Sequence, residues 1–281
     1  MRSTHNCLNC GTPLHGKFCA NCGQRASTQR FTFRRIFSTD FISDTFNLNQ
    51  GLMRTFRDLT FRPGYLIRDY LGGKRKRYFN FIGLLLILLA IEALLWSFAH
   101  NAPADVLLES MRNQLAASSP EMAENLRTED IQRMNSQKII FPFVIPLAAI
   151  GPFLFLRRLR LNYAECCIVI VFLLSMNTLL GTIISVLGLF PLSFSLYKNL
   201  YNSLSIVVLG FGLLLFWQLS RAAAYSRLGR IWRVLATWLT VMAVIGLSMQ
   251  FIIGGFQGYR QAAAVDKSSQ EVVIPRDVSG N

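Results

Sequence analysis

Five long apolar runs fill the chain beyond residue 78, and Lys and Arg gather on one side of them. A bilayer core about 30 Å thick needs roughly 20 apolar helical residues to cross it. The runs Phe79–Phe98, Ile139–Leu156, Ala164–Leu189, Leu200–Leu219 and Val234–Ile253 each meet that requirement as expected spans. Length alone would also suit a soluble two-domain protein. Yet 52% of residues are hydrophobic, only 16% are charged, and the charges avoid the runs. A soluble core helix needs an apolar stripe, whereas these runs are apolar all round. The expected fold is an all-α membrane protein: a five-helix transmembrane bundle behind a small N-terminal ribbon.

The charge distribution sets the expected orientation. Of 29 Lys and Arg, 14 precede the first run, 3 lie between runs two and three, and 4 between runs four and five. That puts 21 on one side against 8 on the other. Positive residues favour the cytoplasmic face, so the N-terminus is expected in the cytoplasm and the C-terminus outside. Five crossings require the same arrangement. Most of the net charge of +14 is then a topology signal rather than a nucleic-acid footprint. The first run, starting at Phe79, is too far from the N-terminus for a cleaved signal peptide and is expected to act as a retained anchor. The expected parts are a ribbon (1–28), a juxtamembrane segment (29–78), a membrane domain (79–255) with an outer loop (100–138), and a polar tail (256–281).

Ahead of the membrane, Cys7-Leu-Asn-Cys10-Gly and Cys19-Ala-Asn-Cys22-Gly form C-x2-C-x8-C-x2-C. Four thiolates at this spacing make the closed tetrahedral set of a structural zinc. Gly11 and Gly23 supply the positive φ that each knuckle needs, and Gly11–Phe18 is long enough for one short hairpin. So small a unit cannot bury a core, so one bound Zn ion would supply most of its folding free energy. Four-thiolate iron and two disulfides are the rivals; the expected reducing compartment disfavours disulfides. With every position filled, no catalytic water is available. His5 and His15 read as exposed neighbours, and Cys166 and Cys167 as buried small apolar residues of span three.

Between ribbon and membrane, Phe33, Ile36, Phe37, Phe41, Ile42 and Phe46 recur at helical spacing among charges. Leu52, Met53, Phe56 and Leu59 predict a second helix that stops before Arg62-Pro63-Gly64. Tyr65–Leu71 predicts a third, broken by Gly72-Gly73. The basic run Lys74, Arg75, Lys76 and Arg77 then reaches the mouth of span one as a candidate lipid- or anion-binding segment. Helices of this kind lie in the inner headgroup layer or pack on the ends of the spans; the sequence leaves both open.

Several of these motifs keep their order. Cys7–Ser27, with Gly16-Lys-Phe-Cys and Cys22-Gly-Gln-Arg-Ala-Ser, is followed by Arg30-Phe-Thr-Phe, Gly51-Leu-Met-Arg-Thr, Arg62-Pro-Gly-Tyr and Tyr70–Tyr78. Over about its first 80 residues the chain resembles the bacterial zinc-ribbon membrane proteins of domain-of-unknown-function family 3667. Asn162-Tyr163-Ala164-Glu165 is a further, weaker likeness at the start of a later helix. The resemblance implies a ribbon joined to a helical membrane domain in a bacterial inner membrane, and implies no activity.

Glu92 is the one ionisable residue well inside an expected span, and intramembrane carboxylates often mark function. Counting about 1.5 Å per residue puts Glu92, Asn177 and Gln250 at similar depths, a candidate polar cluster. A helix-packing hydrogen bond is the plainer alternative. Ser175, Thr178, Thr182 and Ser185 share one face of span three beside Gly181, a stripe that suits close helix contact or a solute path. Pro142, Pro146 and Pro152 should bend span two. In the outer loop, Ala104–Ala116 and Pro120–Gln137 are expected helices, with Ser119 as N-cap. The polar tail after Gly258 is expected to be disordered.

No nucleophile, base or open metal site converges, since two of the three histidines flank the ribbon and His100 lies across the membrane. There are no catalytic candidates, and an enzyme is disfavoured. No aromatic stacking pattern accompanies the basic residues, so no nucleic acid is expected as partner. The leading reading is a non-enzymatic membrane protein whose ribbon and basic helices dock anionic membrane lipid or a cytoplasmic protein partner. The alternative is a small-solute or ion transporter or channel using Glu92 and the span-three stripe. Oligomeric state stays open.

Overall fold

The computed structural model describes residues 6–36, 51–99, 101, 103–116, 120, 124, 141–248 and 250. Those residues are helical apart from turns and two isolated β-bridges within the N-terminal cysteine region. A single turn, α1 (Phe33–Ile36), precedes α2 (Leu52–Phe61), α3 (Pro63–Leu71) and α4 (Phe81–Phe98). Next come α5 (Pro103–Leu115), α6 (Phe141–Phe155), a 3-10 turn at Arg157–Leu159, α7 (Tyr163–Leu187) and α8 (Phe194–Ser220). Last is α9 (Arg227–Ser248). Of these, α4, α7, α8 and α9 are long and apolar enough to cross a membrane, which makes this a multi-pass membrane protein.

The expected second span is described only from Phe141 onward: its described part, α6, holds 15 residues, about 22 Å of helix. Pro146 and Pro152 lie inside it and each removes a backbone donor. Helices α8 and α9 run longer than hydropathy suggested. Polar Tyr197, Lys198, Arg230 and Arg233 interrupt the apolar pattern without interrupting backbone hydrogen bonding. Lys198 instead meets Glu109 of α5 at 2.7 Å, while Arg230 lies over Trp217 and Arg233 over Tyr225 and Trp232. Long cationic side chains reach past the apolar zone while their stems stay in it.

Helix α7 is the hub. Of its most apolar stretch 61% is buried, against 28%, 33% and 17% for α4, α8 and α9. Its start is held by a reciprocal capping box: Glu165 N donates to Asn162 Oδ1 at 2.8 Å and Asn162 N to Glu165 Oε2 at 2.9 Å. Such a box satisfies two donors that a helix otherwise leaves open. Helix α4 runs parallel to α7. Phe81 meets Phe172 near one end, and further along Trp96 Nε1 donates to Ser185 Oγ at 3.0 Å. The hydroxyls of Ser175, Thr178, Thr182 and Ser185 all donate to the carbonyl four residues back. Ser175 and Ser185 are fully buried and Thr178 nearly so. The stripe thus lets helices approach closely.

At the far end, Asn101 bonds Gly188 and Leu192 in the turn between α7 and α8, and Val106, Ile184 and Tyr197 form a small apolar cluster. At the opposite, basic end, α2 and α3 pack on the bundle instead of extending away from it. Gln218 of α8 accepts from Gly64 N at 3.1 Å and donates to Phe61 O, tying both short helices to one side chain. Leu59, Leu66, Ile67 and Tyr70 are buried there. The first expected amphipathic helix is seen only as α1; Phe37, Phe41, Ile42 and Phe46 lie outside the described residues. So do His5, His100, Ser119, most of Pro120–Gln137 and the tail.

Candidate metal centre and the basic surface beside it

The two knuckles are near-copies. In each, the first cysteine's carbonyl accepts from the glycine four residues on: Gly11 N to Cys7 O at 2.8 Å, Gly23 N to Cys19 O at 2.9 Å. The glycines adopt φ of 80° and 68°, a region a β-carbon makes costly. Each knuckle then closes on itself, through the bridges Asn6↔Pro13 and Phe18↔Arg25. The hairpin expected over Gly11–Phe18 is therefore absent: the bridges fall within the knuckles, not between them.

Folding this way turns all four thiols inward. Cys7, Cys10, Cys19 and Cys22 bring their sulfurs within 4.8 Å of one another, with Cys7–Cys22 at 3.6 Å and Cys10–Cys19 at 3.5 Å. A disulfide needs about 2.05 Å, and all four cysteines are free. Metal–sulfur bonds of about 2.3 Å in a tetrahedron put sulfurs roughly 3.8 Å apart. The donor set fits one metal ion, and these four residues would hold it. Burial pushes the Cys7 thiol up to about 11, while the Thr12 hydroxyl and amide beside the exposed Cys10 lower it to about 6. His15 is exposed, as expected.

The cysteine unit is seated firmly. Gln24, 4% exposed, donates from Nε2 to Gly73 O at 2.9 Å and accepts from Arg75 N and Lys76 N at 3.1 and 3.2 Å. Gly73 has φ of 105°, and a β-carbon there would lie 2.7 Å from Leu8 Cδ1. A second latch follows the ribbon. Arg30 forks onto Glu165 at 2.9 and 2.5 Å and bonds Arg160 O, and Asn162 Nδ2 donates to Phe31 O. The buried Glu165 carboxylate holds the Arg30 guanidinium above its ordinary value. Phe31 then joins Tyr70, Phe81 and Phe172 in a ring cluster with centroids 5.4–6.1 Å apart. One ring comes from the linker and one each from α3, α4 and α7.

The candidate basic segment divides. Lys74 pairs with Asp69 at 2.9 Å; Arg75 lies 3.6 Å over the Phe31 ring and donates to Gln29 O. Lys76 and Arg77 instead line an open-sided depression of about 610 Å³ with Arg54, Asn9, Asn21, Cys22 and Gly23. Within the bundle, Glu92 is half-buried against Gly181, whose β-carbon position is 3.2 Å from Oε1. Asn177, one turn earlier on α7, is half-buried with Oδ1 lacking a partner among the described residues. Gln250 is exposed at the end of the described chain. Cys166 and Cys167 are buried at the start of α7. The sequence reading missed Gln24, Glu165 and Gln218 as docking residues; Gln24 and Glu165, each inside a family-like motif, carried a signal, and Gln218 carried none.

A multi-pass helical membrane protein whose basic end carries a four-cysteine cluster able to hold a metal ion is the class these features define. A family model described as "Protein of unknown function (DUF3667)" matches residues 49–92, the same family that the ordered motifs resemble. The matched segment runs from before α2 through the basic loop to Glu92. No curated protein and no solved structure matches the chain.

Proposed function

We propose that this is a non-enzymatic, multi-pass protein of a bacterial inner membrane that presents a zinc-held docking platform to the cytoplasm. The platform gathers anionic membrane lipid, and could seat a cytoplasmic protein partner on the same surface. One observation carries the reading: the cysteine unit is locked to the basic loop by Gln24 and to α7 by Arg30, so metal site, cations and bundle form one surface. A ribbon with no docking role would not need such seating. Arg157, Arg158, Arg221 and Arg227 lie at the same end, where anionic headgroups add about 1 kcal/mol per cation. Zinc is favoured by an all-thiolate tetrahedron near neutral pH.

The test is lipid retention by the full-length protein in nanodiscs of mixed phosphatidylglycerol and phosphatidylcholine, read by native mass spectrometry. Retained lipid enriched in phosphatidylglycerol, with enrichment falling as salt rises, is expected. Equal retention of both lipids overturns the docking reading.

A solute or ion path is the second reading, supported by Asn177 Oδ1, which has no partner among the described residues, beside the Glu92–Gly181 contact. Glu92→Gln with unaltered ion flux in proteoliposomes would remove it.

A further inference from the structure

We infer that the depression between the cysteine unit, α2 and the basic loop is a binding site for a phosphomonoester, assembled only when the metal site is folded. The inference rests on the docking reading and narrows it to a ligand chemistry and a set of residues.

Three cations from two elements converge there: Arg54 from the first turns of α2, and Lys76 and Arg77 from the loop. No carboxylate is among the lining residues. Three other cations at this end are already engaged: Lys74 with Asp69, Arg75 with Phe31, Arg158 with Tyr225 and Ala224; Arg77 itself lies over the Tyr78 ring at 5.9 Å. Among the described residues neither Arg54 nor Lys76 has an ion-pair partner. The backbone holds the three in place. Gly51, with φ of 82°, abuts the Arg77 carbonyl so closely that a β-carbon would lie 2.6 Å from it. Buried Thr55 accepts from Phe79 N at 2.8 Å, pinning α2 to the loop.

The opposite wall is the second knuckle, Asn21-Cys22-Gly23, with Asn9 of the first. Asn9 Oδ1 is buried and has no hydrogen-bond partner among the described residues. Amide oxygen and nitrogen exchange places by a simple flip, so this side chain can meet either a phosphate hydroxyl or a phosphate oxygen. Two guanidinium forks and a lysine suit the three terminal oxygens of a dianion better than a singly charged diester. A volume near 610 Å³ falls within the roughly 300–1,000 Å³ of small-ligand sites. Because Cys22 and Gly23 form one wall, loss of the metal would open it. The same chemistry is offered by a lipid headgroup ending in phosphate and by a soluble phosphate ester.

The test uses the full-length, metal-loaded protein in phosphatidylcholine nanodiscs. One arm titrates glycerol 3-phosphate by calorimetry. The other adds phosphatidic acid or phosphatidylglycerol at equal mole fraction and reads retained lipid by native mass spectrometry. Monoester binding in at least one arm is expected, weakened about tenfold by Arg54→Gln or Lys76→Gln, the loss typical of one charge-assisted contact. Arg157→Gln, at the same end but outside the depression, should lower retention of both anionic lipids alike and leave ester binding and the preference for the monoester unchanged. Chelation should weaken binding as much as the site variants, with helix content by circular dichroism preserved. Lipid binding alone identifies the headgroup as source; binding of the free ester alone identifies a soluble ligand. Retention of both anionic lipids without monoester preference leaves the docking reading standing and overturns this site. Ester binding with the variant pattern but no anionic-lipid retention does the reverse. No binding in either arm, or an equal loss of ester binding or of monoester preference in Arg157→Gln, overturns the site.

Discussion

Gln24 does with one side chain what a strand pairing does with a backbone. Its amide satisfies Gly73 O and the amides of Arg75 and Lys76 at a site only 4% exposed. Gln24→Ala would strand those groups, and an unsatisfied buried donor costs about 1–3 kcal/mol. Hydrogen exchange at Arg75 and Lys76 should accelerate while α7 stays protected; unchanged exchange would show that Gln24 does not hold the ribbon. Tyr78 makes a different kind of junction, its hydroxyl within 3.2 Å of Asp58 and 3.4 Å of Asp69. Burial first, then those carboxylates, push the phenol up to about 12. A pKa raised on folding favours the native state fully below the unfolded value near 10, and that contribution fades as pH climbs towards 12. Tyr78→Phe should be about 1 kcal/mol less stable at neutral pH, with the gap to the parent closing between pH 10 and 12. A constant gap in thermal melts across that interval would contradict the assignment.

Among elements, the crossing of α3 over α8 is a close contact that hinges on the absence of one methyl group. A β-carbon on Gly64 would lie 2.5 Å from Gln218 Cβ and from Leu219 N, the latter backbone that cannot move aside. Gly64→Ala should cost about 1–3 kcal/mol by overpacking and loosen α3, seen as faster proteolysis after Arg62 or Arg68. Gly210→Ala, with open space around its β-carbon position, should be neutral or slightly stabilising through helix propensity. Equal effects at the two positions would rule out the close crossing. Local signals foretold much here: the end of α2 before Pro63 and the break at Gly72-Gly73 follow from proline and glycine chemistry, and the thiolate cluster from cysteine spacing. What covers α2 and α3 did not follow, because an apolar stripe fits a membrane surface as well as a helix end. Partners such as Gln24 and Gly73, 49 residues apart, leave no periodic trace. Helices α8 and α9 begin ahead of the expected spans for a related reason: hydropathy marks where lipid contact stops, while Lys198 and Arg233 ride on helices that continue beyond it.

For the whole molecule, the parallel pairing of α4 with α7 sets a condition on the chain between them. Phe81 meets Phe172, Glu92 meets Gly181 and Trp96 meets Ser185, so both helices advance from the basic end to the far end together. The polypeptide must then return between residues 99 and 162, and α6 is the apolar helix described in that stretch. Its end lies at the basic side, where Arg158 binds Tyr225 and Ala224, and Gly151 approaches Thr237 and Val241 of α9. Its described residues account for about 22 Å of a core about 30 Å thick. Single cysteines at Lys17, Arg157, Asn113 and Lys198 test the return, in a background where Cys166 and Cys167 are replaced by alanine and the metal site is kept. An impermeant maleimide applied to oriented vesicles should label Lys17→Cys and Arg157→Cys from one side, and Asn113→Cys and Lys198→Cys from the other. Labelling of Asn113→Cys and Arg157→Cys from the same side would mean that α6 does not cross, and the parallel packing of α4 on α7 could not stand.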